Sequence, residues 1–219
     1  MDHFIVVMGD IVESKKLKPV QRKKVQKQLR AVFREINKSS DGLQTTYSIT
    51  LGDEFQSVYR KSSSLFNDVW SIKAAIYPVR VRIAIGAGEI TTDTQQEKSL
   101  MMDGPAFHKT RDLINKLKDE NLLISVETGD LIFDQLANSS LNILAGNLKN
   151  WSKNRFTILK MKSEGYSVKE IAGELKISEV AVYKNIHAGK LNHIEKMTEA
   201  ISKRMDALNT QTEGVSGVV

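Results

Sequence analysis

Two apolar stretches that each end in the pair Gly-Asp constrain the fold of this chain more than any other feature. The first is Phe4–Val12, which contains Asp10, and the second is Tyr47–Phe55, which contains Asp53 followed by Glu54. In each stretch the glycine lets the backbone bend closely, and the next carboxylate is presented at a strand end. Gly-Asp is also a common turn pair. Two copies on strong strands predict an acidic site that holds Mg²⁺ and, through it, a nucleotide triphosphate.

The composition is that of an ordinary globular protein, with 219 residues, 41% apolar and 26% charged. The chain has no cysteine, which excludes disulfides and thiolate metal sites. No apolar run approaches the roughly 18 residues of a membrane helix, and the first residues lack the basic start of a signal peptide. We therefore expect a cytoplasmic protein that does not act at a membrane.

The formal net charge of +6 is unevenly distributed along the chain. Residues 13–38 contain ten lysines and arginines against two glutamates, whereas residues 151–219 contain eleven basic and eight acidic residues. A basic block directly after Asp10 predicts attraction to phosphates. The alternative is a solvated helix face, which explains most runs of charge.

Hydrophobic periodicity predicts the order β-α-β-β-α-β-α-β over residues 1–150. The predicted strands are 4–12, 46–51, 55–60, 79–88 and 122–126, and the predicted helices are 19–38, 62–75, 105–118 and 129–148. The first six elements match a ferredoxin-like βαββαβ core, so the fold class is α+β. In that topology the first strand lies beside the central hairpin, which predicts that Asp10 and Asp53 lie close together.

From residue 151 onward the pattern is helical only. Residues 151–208 are expected to form a small all-α domain with helices at 155–164, 168–175 and 179–187. Residues 209–219 are rich in Thr, Gly and Ser and are expected to form a disordered tail. The chain is thus divided into a domain at 1–150, a second domain and a tail.

The spacing within 167–187 is that of a helix-turn-helix. Its expected buried positions are Ile171, Ala172, Leu175, Ile177, Val182 and Ile186, and Ala172 is small because the second helix crosses over it. The stretch resembles the DNA-reading unit of sigma-factor-like and LuxR-like regulators, with a capping box from Ser167 to Glu170. That resemblance implies DNA contacts from the exposed residues Ser178, Glu179, Val180, Tyr183 and Lys184. A helix pair used only for packing or dimerisation is the alternative.

Four N-terminal segments, together with the helix-turn-helix, resemble the SatD family of bacterial proteins over essentially the whole chain. The segments are Gly9–Val12, Thr50–Gln56, Arg82–Ile90 and Asp103–Phe107. This resemblance does not by itself supply a biochemical activity.

A wider resemblance concerns nucleotide chemistry. Asp10-Ile-Val12 is similar to the first metal motif of class III nucleotidyl cyclases, and Leu51–Phe55 keeps four of the five letters of the diguanylate cyclase signature GGDEF. The resemblance implies a palm-type domain with Asp10 and Asp53 as ligands of Mg²⁺ or Mn²⁺. It also implies nucleotide binding by a set of residues after Asp10 and on the following helix: Ile11, Val12, Glu13, Ser14, Lys15 and Arg111.

The chain departs from the cyclase pattern at four places. Glu13-Ser-Lys15 replaces Gly-Phe-Thr, His108 replaces the transition-state asparagine, Arg111 falls one residue early, and Leu51 replaces a glycine and would crowd a guanine base. These losses weigh more against catalysis than against nucleotide binding, because a lost charge-stabilising group typically costs about a hundredfold or more in rate. His108 is interpreted as a boundary residue of its helix.

Three functions remain open on the sequence. The leading hypothesis is a homodimeric regulator in which a metal-nucleotide-binding domain tunes DNA binding by residues 167–187. The second is an active nucleotidyl cyclase or transferase that uses Asp10 and Asp53 with Mg²⁺. The third is a DNA-binding protein whose N-terminal domain serves only for dimerisation.

Overall fold

A computed structural model describes residues 3–50, 52–92, 94, 95 and 97–215 of the chain. Its strands are β1 (His3–Ile11), β2 (Ser48–Ile49), β3 (Glu54–Tyr59), β4 (Val81–Glu89) and β5 (Ile124–Glu127). Its α-helices are α1 (Pro19–Ser39), α2 (Leu65–Ile76), α3 (Pro105–Asp119), α4 (Leu131–Leu148), α5 (Lys153–Ser163), α6 (Val168–Leu175), α7 (Glu179–Gly189) and α8 (Leu191–Val215). The predicted α+β class is therefore confirmed.

The five strands form one mixed sheet in the order β2-β3-β1-β4-β5. β1 pairs antiparallel with both β3 and β4, whereas β5 is parallel to β4. Side chains alternate between the two faces of a strand. Ile5 and Val7 of β1 share an apolar cluster with α1 and α2, and Phe4 and Val6 share another with α3. α1 and α3 therefore cover opposite faces of the sheet.

The two Gly-Asp pairs contain glycine for different physical reasons. A Cβ atom at Gly9 would lie 2.0 Å from the ring of Phe55, so any side chain there would displace this buried ring. Gly52 has a φ of 58° and open space around it, so its requirement is conformational. Glycine is thus required by a close contact in β1 and by a left-handed turn before β3.

The helices after residue 150 share a core with the sheet. Trp151 and Phe156 belong to the same buried cluster as Ile5 and Trp70. Polar contacts also join the segments before and after residue 150. The amide of Ser62 donates to the Asp206 carboxylate at 2.8 Å, and Arg204 pairs with Asp130 at 2.8 Å. The predicted boundary between residues 150 and 151 therefore lies inside a continuous core.

The C-terminal segment differs from its prediction. α8 runs to Val215, so residues 209–215 of the expected disordered tail are helical, and residues 216–219 lie outside the described part. The apolar residues Leu191, Ile194, Ile201 and Met205 recur at helical spacing and are buried. They form one face of a long helix, which continues beyond the point where the composition becomes rich in Thr and Gly. No helix in the described ranges is long and apolar enough to cross a membrane.

Asp68 on α2 is a buried carboxyl group that we expect to make stability depend on pH. Burial raises the pKa of Asp68 to about 6, even though its carboxylate accepts hydrogen bonds from Ser40 at 2.5 Å and Tyr59 at 2.7 Å. Because the pKa is higher in the folded state, this contribution to stability is present below pH about 4 and is lost as the pH rises to about 6.

Over that window we expect the wild-type protein to lose about 3 kcal/mol of unfolding free energy relative to Asp68→Asn. Urea unfolding of the two proteins at both ends of the window measures the difference. Parallel pH dependences would contradict the assignment.

Candidate functional site

Charged side chains gather where β1 ends and β3 begins. Asp10 lies directly opposite Glu54 on β3 and opposite Arg82 on β4. Alternation places Asp10 on the face covered by α3, the face of Phe4 and Val6. Helix α3 contributes Arg111 and Lys118, which are seven residues apart and share one side of the helix. We call Asp10, Glu54, Arg82, Arg111 and Lys118 the charge cluster.

Ion pairs connect all five members of the charge cluster. Arg82 Nη1 lies 3.1 Å from Asp10 Oδ2, and both side chains are about nine-tenths buried. Lys118 Nζ lies 2.9 Å from Glu54 Oε1 and 3.5 Å from Asp10 Oδ1. Arg111 Nη1 lies 2.7 Å from the other oxygen of Glu54. The cations of β4 and α3 thus neutralise both carboxylates.

Burial and ion pairing shift the acidity of the cluster in opposite directions. Burial raises the pKa of Asp10, against the opposing effects of Lys118 and Arg82. For Glu54, burial is outweighed by hydrogen bonds from Lys118 and Arg111, which lower its pKa. The pKa of Lys118 is raised: burial opposes the charged form, but the hydrogen bond to Glu54 and the charge of Asp10 favour it. Of the two carboxylates, Asp10 is therefore the one whose negative charge its neighbours stabilise less.

Whether a divalent cation fits at the charge cluster depends on how its carboxylate oxygens are already used. Carboxylate oxygens are the ligands that Mg²⁺ prefers, and Asp53, half-buried in the adjacent turn, is close enough for its charge to act on the pKa of Asp10. However, Arg82 and Lys118 take up both oxygens of Asp10, and Lys118 also bridges to Glu54. With Lys118 in place the donor set does not fit a divalent ion. Mg²⁺ or Mn²⁺ at Asp10 and Asp53 stays a prediction.

The loop expected to hold a triphosphate uses part of its backbone internally. The amide of Ile11 donates to the carbonyl of Asp53 at 3.4 Å, and the amide of Val12 donates to the carbonyl of Arg80 at 3.0 Å. These two residues are buried. The backbone amides of two of the residues predicted to bind a nucleotide therefore already have protein acceptors.

The rest of that loop surrounds a short helical turn. Glu13 has a left-handed φ of 55° and pairs with Lys16 at 2.5 Å. Ser14 is buried and its carbonyl accepts from Arg22 at 2.9 Å, whereas Lys15 is exposed. Lys15 is therefore the cation of this loop that is open to a ligand.

His108 and Arg111 border a small open pocket beside the charge cluster. The pocket has a volume of about 250 Å³, and Met8 and Gln56 form part of its wall. His108 Nε2 lies 3.0 Å from Asp103 Oδ1, and both side chains are mostly exposed. This position agrees with the interpretation of His108 as a boundary residue. Leu51, the proposed obstacle to a guanine base, lies outside the described residues.

The residues predicted to form a helix-turn-helix divide into a buried set and an exposed set. Four expected core residues are buried, and the other two, Leu175 and Ile177, pack partly buried against them. Ser178 caps α7 by accepting from the amide of Ala181 at 3.1 Å. All five residues expected to contact DNA are exposed: Ser178, Glu179, Val180, Tyr183 and Lys184.

Comparison with protein families now places the chain. The model of the SatD family matches residues 4–202, which include the sheet, the charge cluster and the helices α6 and α7. The chain belongs to the SatD family. No curated protein matches it.

Three members of the charge cluster in this SatD-family chain were absent from the predicted site: Glu54, Arg82 and Lys118. Two signals in the sequence point to them. Strand alternation places Arg82 on the same face as Ala84 rather than with Ile83, and Lys118 follows Arg111 by two helical turns. Neither signal identifies the partner, because Asp10 is 72 residues from Arg82 in the chain.

Proposed function

We propose that this SatD-family protein is a regulator that binds DNA through α6 and α7. One observation carries the proposal: α7 buries Val182 and Ile186, while Val180 and Tyr183 on its outer side remain 62% and 51% exposed. Exposed apolar and aromatic side chains that lie together on one helix face are typical of a surface that binds a partner. A recognition helix meets base edges and thymine methyl groups in the major groove.

The turn between α6 and α7 supports the same proposal. Ala172 on α6 is buried, and its carbonyl accepts from the amide of Ile177 at 3.1 Å. Lys176 takes a left-handed φ of 53° between the helices. Ser167 and Glu170 form a reciprocal cap at the start of α6, so both helix starts are fixed. These contacts hold α7 rigidly, as base recognition requires.

We further propose that the protein binds as a homodimer through α4. Three of its apolar residues, Ile132, Leu136 and Ile143, are between 66% and 74% exposed and lie along one side. The charged residue of this helix, Asp134, is buried, so its outer face carries no charge. Leu136 and Ile143 lie at equal distances from Ser139-Ser140. An antiparallel two-fold pairing centred there brings Leu136 of each protomer against Ile143 of its partner.

Leu136→Glu is expected to convert the dimer into a monomer, because two carboxylates would then enter a closed apolar contact. Light scattering after size-exclusion chromatography, at micromolar protein, measures the mass. Val20→Glu, which changes a 79% exposed residue on α1 in the same way, is expected to remain dimeric. A monomeric wild type, or a dimeric Leu136→Glu, would rule out this interface.

A second candidate function is nucleotide binding by the sheet domain, as a signal that alters DNA affinity. The strand order β2-β3-β1-β4 supports a ferredoxin-like, palm-type arrangement. Arg111 and Lys118, on the pocket side of α3, supply cations that attract phosphate groups. Since Arg82 and Lys118 already pair with the two oxygens of Asp10, we assign no catalytic step to this site.

Nucleotide titrations separate this candidate from the enzyme and scaffold alternatives. Thermal shift and calorimetry are run with each NTP, with EDTA and with Mg²⁺, on the wild type, Arg111→Gln and Asp53→Ala. A regulatory site predicts binding that weakens in Arg111→Gln and a nucleotide-dependent change in DNA affinity that Asp53→Ala abolishes. Product formation that depends on Asp10 would instead indicate a cyclase or transferase. The absence of binding in every condition would leave the domain as a dimerisation scaffold.

A further inference from the structure

A row of cations along α1 lines a groove beside the edge strand β2. Lys23, Lys27, Arg30 and Arg34 follow one another at intervals of four, three and four residues, so they share one side of the helix. Together with β2 they enclose an open groove of about 660 Å³. We call this feature the cationic groove.

The cationic groove is separate from the charge cluster around Asp10. Helix α1 packs on the sheet face of Ile5 and Val7, whereas Asp10 turns toward α3 on the opposite face. The sequence interpretation of the basic segment as a phosphate-attracting flank for Asp10 therefore needs correction. Lys23, Lys27, Arg30 and Arg34 face a surface of their own.

The cations of the groove are not compensated by the protein. None of the four forms an ion pair or side-chain hydrogen bond within the described residues, and no acidic residue lines the groove. The other lining groups include Gln26, Asn37 and Ser48, and the Oγ of Ser48 is buried without a hydrogen-bond partner in that same part of the chain. Gln26 and Asn37 already bond to the backbone of Gly52 and Tyr47, so the groove presents the positive charge of its four cations to an external anion.

We propose that the cationic groove holds the phosphodiester backbone of duplex DNA, a second contact that rests on the proposed DNA-binding function. The four cations span eleven residues, or about 16 Å along the helix, which suits several successive phosphates better than one compact anion. The aromatic residues of the groove, Phe33 and Tyr47, are 4% exposed. They are too buried to stack on the bases of a single strand.

The low net charge of residues 167–190, the proposed DNA-reading unit, explains why a separate phosphate contact is needed. Residues 167–190 contain four lysines against three glutamates, so this unit alone attracts DNA weakly. The affinity that does not depend on sequence must then come from another surface, and the row on α1 is a surface whose four cations have no ion pair within the described residues. Strand addition by a peptide is disfavoured, because β2 offers a ladder of two residues.

Salt-dependent binding to a random-sequence duplex tests this inference in the full-length protein. Lys27→Gln/Arg30→Gln removes two charges from the groove, and Lys24→Gln/Lys38→Gln removes two from the same helix outside it. Fluorescence anisotropy over a range of KCl concentrations gives the dissociation constant and its salt slope. The groove variant is expected to bind about tenfold more weakly, with a slope shallower by about two, because each lost phosphate contact removes about 0.9. The control is expected to stay within about twofold of wild type.

Each outcome supports or overturns the inference. Equal losses in the groove variant and its control, or no wild-type binding at low salt, would overturn it. Inorganic tripolyphosphate that displaces the duplex at a lower phosphate concentration would overturn the choice of DNA. A loss in the groove variant on the random duplex, together with an unchanged affinity of Tyr183→Ala/Lys184→Ala for a selected site, would support the groove and refute the proposed role of α7.

Discussion

Arg82→Met is expected to lower the free energy of unfolding by about 3 kcal/mol at neutral pH, since it leaves the buried Asp10 carboxylate with only the longer contact to Lys118, at 3.5 Å. Arg82 and Asp10 are 3.1 Å apart, and their side chains are 11% and 9% exposed. Burial already raises the pKa of Asp10, and removal of the guanidinium is expected to raise it further. The loss should therefore shrink as the pH falls and Asp10 becomes neutral. Urea unfolding at several pH values measures both effects.

Two further variants make this test specific. Arg80→Met changes an exposed arginine two positions away on the same segment and is expected to cost less than about 0.5 kcal/mol. Adding Asp10→Asn to Arg82→Met should recover much of the loss, because the buried charge that had lost its guanidinium partner is then absent. Equal effects of the two arginine variants, or no rescue by Asp10→Asn, would refute a structural ion pair at this position.

Tyr183→Ala/Lys184→Ala is expected to weaken specific DNA binding by about a hundredfold or more, because each lost base contact costs about 1–3 kcal/mol. Both residues are exposed on the outer side of α7, so the substitution leaves the buried Val182 and Ile186 in place. Fluorescence anisotropy with a selected site measures the loss. Circular dichroism checks that the variant remains folded.

The matched control for α7 is Lys196→Ala on α8, which removes an exposed lysine away from the recognition helix. Its specific affinity is expected to stay within about threefold of wild type, as one screened surface charge contributes little. A similar loss in the control would indicate a general charge effect. An unchanged affinity in the α7 variant would assign the DNA contact to another surface.

The elements with strong periodicity were predictable. Val168–Leu175 was placed at its observed bounds, and Pro105 and Pro19 marked the starts of α3 and α1, because proline is favoured at a helix start. β2 was predicted over 46–51, whereas its observed range is Ser48–Ile49, and Leu51 lies outside the described residues. Sequence alternation shows which residues suit a strand, whereas the length of the ladder depends on the partner strand.

The position of the candidate site was predictable from the sequence, but the cations that neutralise its carboxylates were not. Two acidic strand ends were expected to meet, and Asp10 lies beside the turn that carries Asp53 and opposite Glu54. Arg82 and Lys118 reach Asp10 across the sheet and from α3, so local patterns place these two residues on a face but do not identify Asp10 as their partner. A site that looks acidic along the chain is therefore electrically balanced in the fold.

The continuous core bears on how the two proposed functions would be coupled. Since Trp151 and Phe156 share a buried cluster with Ile5, the helices after residue 150 are not attached to the sheet through a free linker. The contacts of Asp206 with Ser62 and of Arg204 with Asp130 add polar links between α8 and the sheet domain. A ligand that shifts α2 or α3 has packed elements through which to act on α7.

Selection from a random pool of duplex DNA tests the central claim of DNA reading by α7 most directly. The wild-type protein, carried through several rounds beside Tyr183→Ala/Lys184→Ala, is predicted to enrich an inverted repeat. Its half-sites should be about 10 base pairs apart, or a multiple of that spacing, as two-fold symmetry requires. The variant should enrich no motif. A wild-type protein that enriches no sequence, or a variant that enriches the same sequence, would contradict the claim.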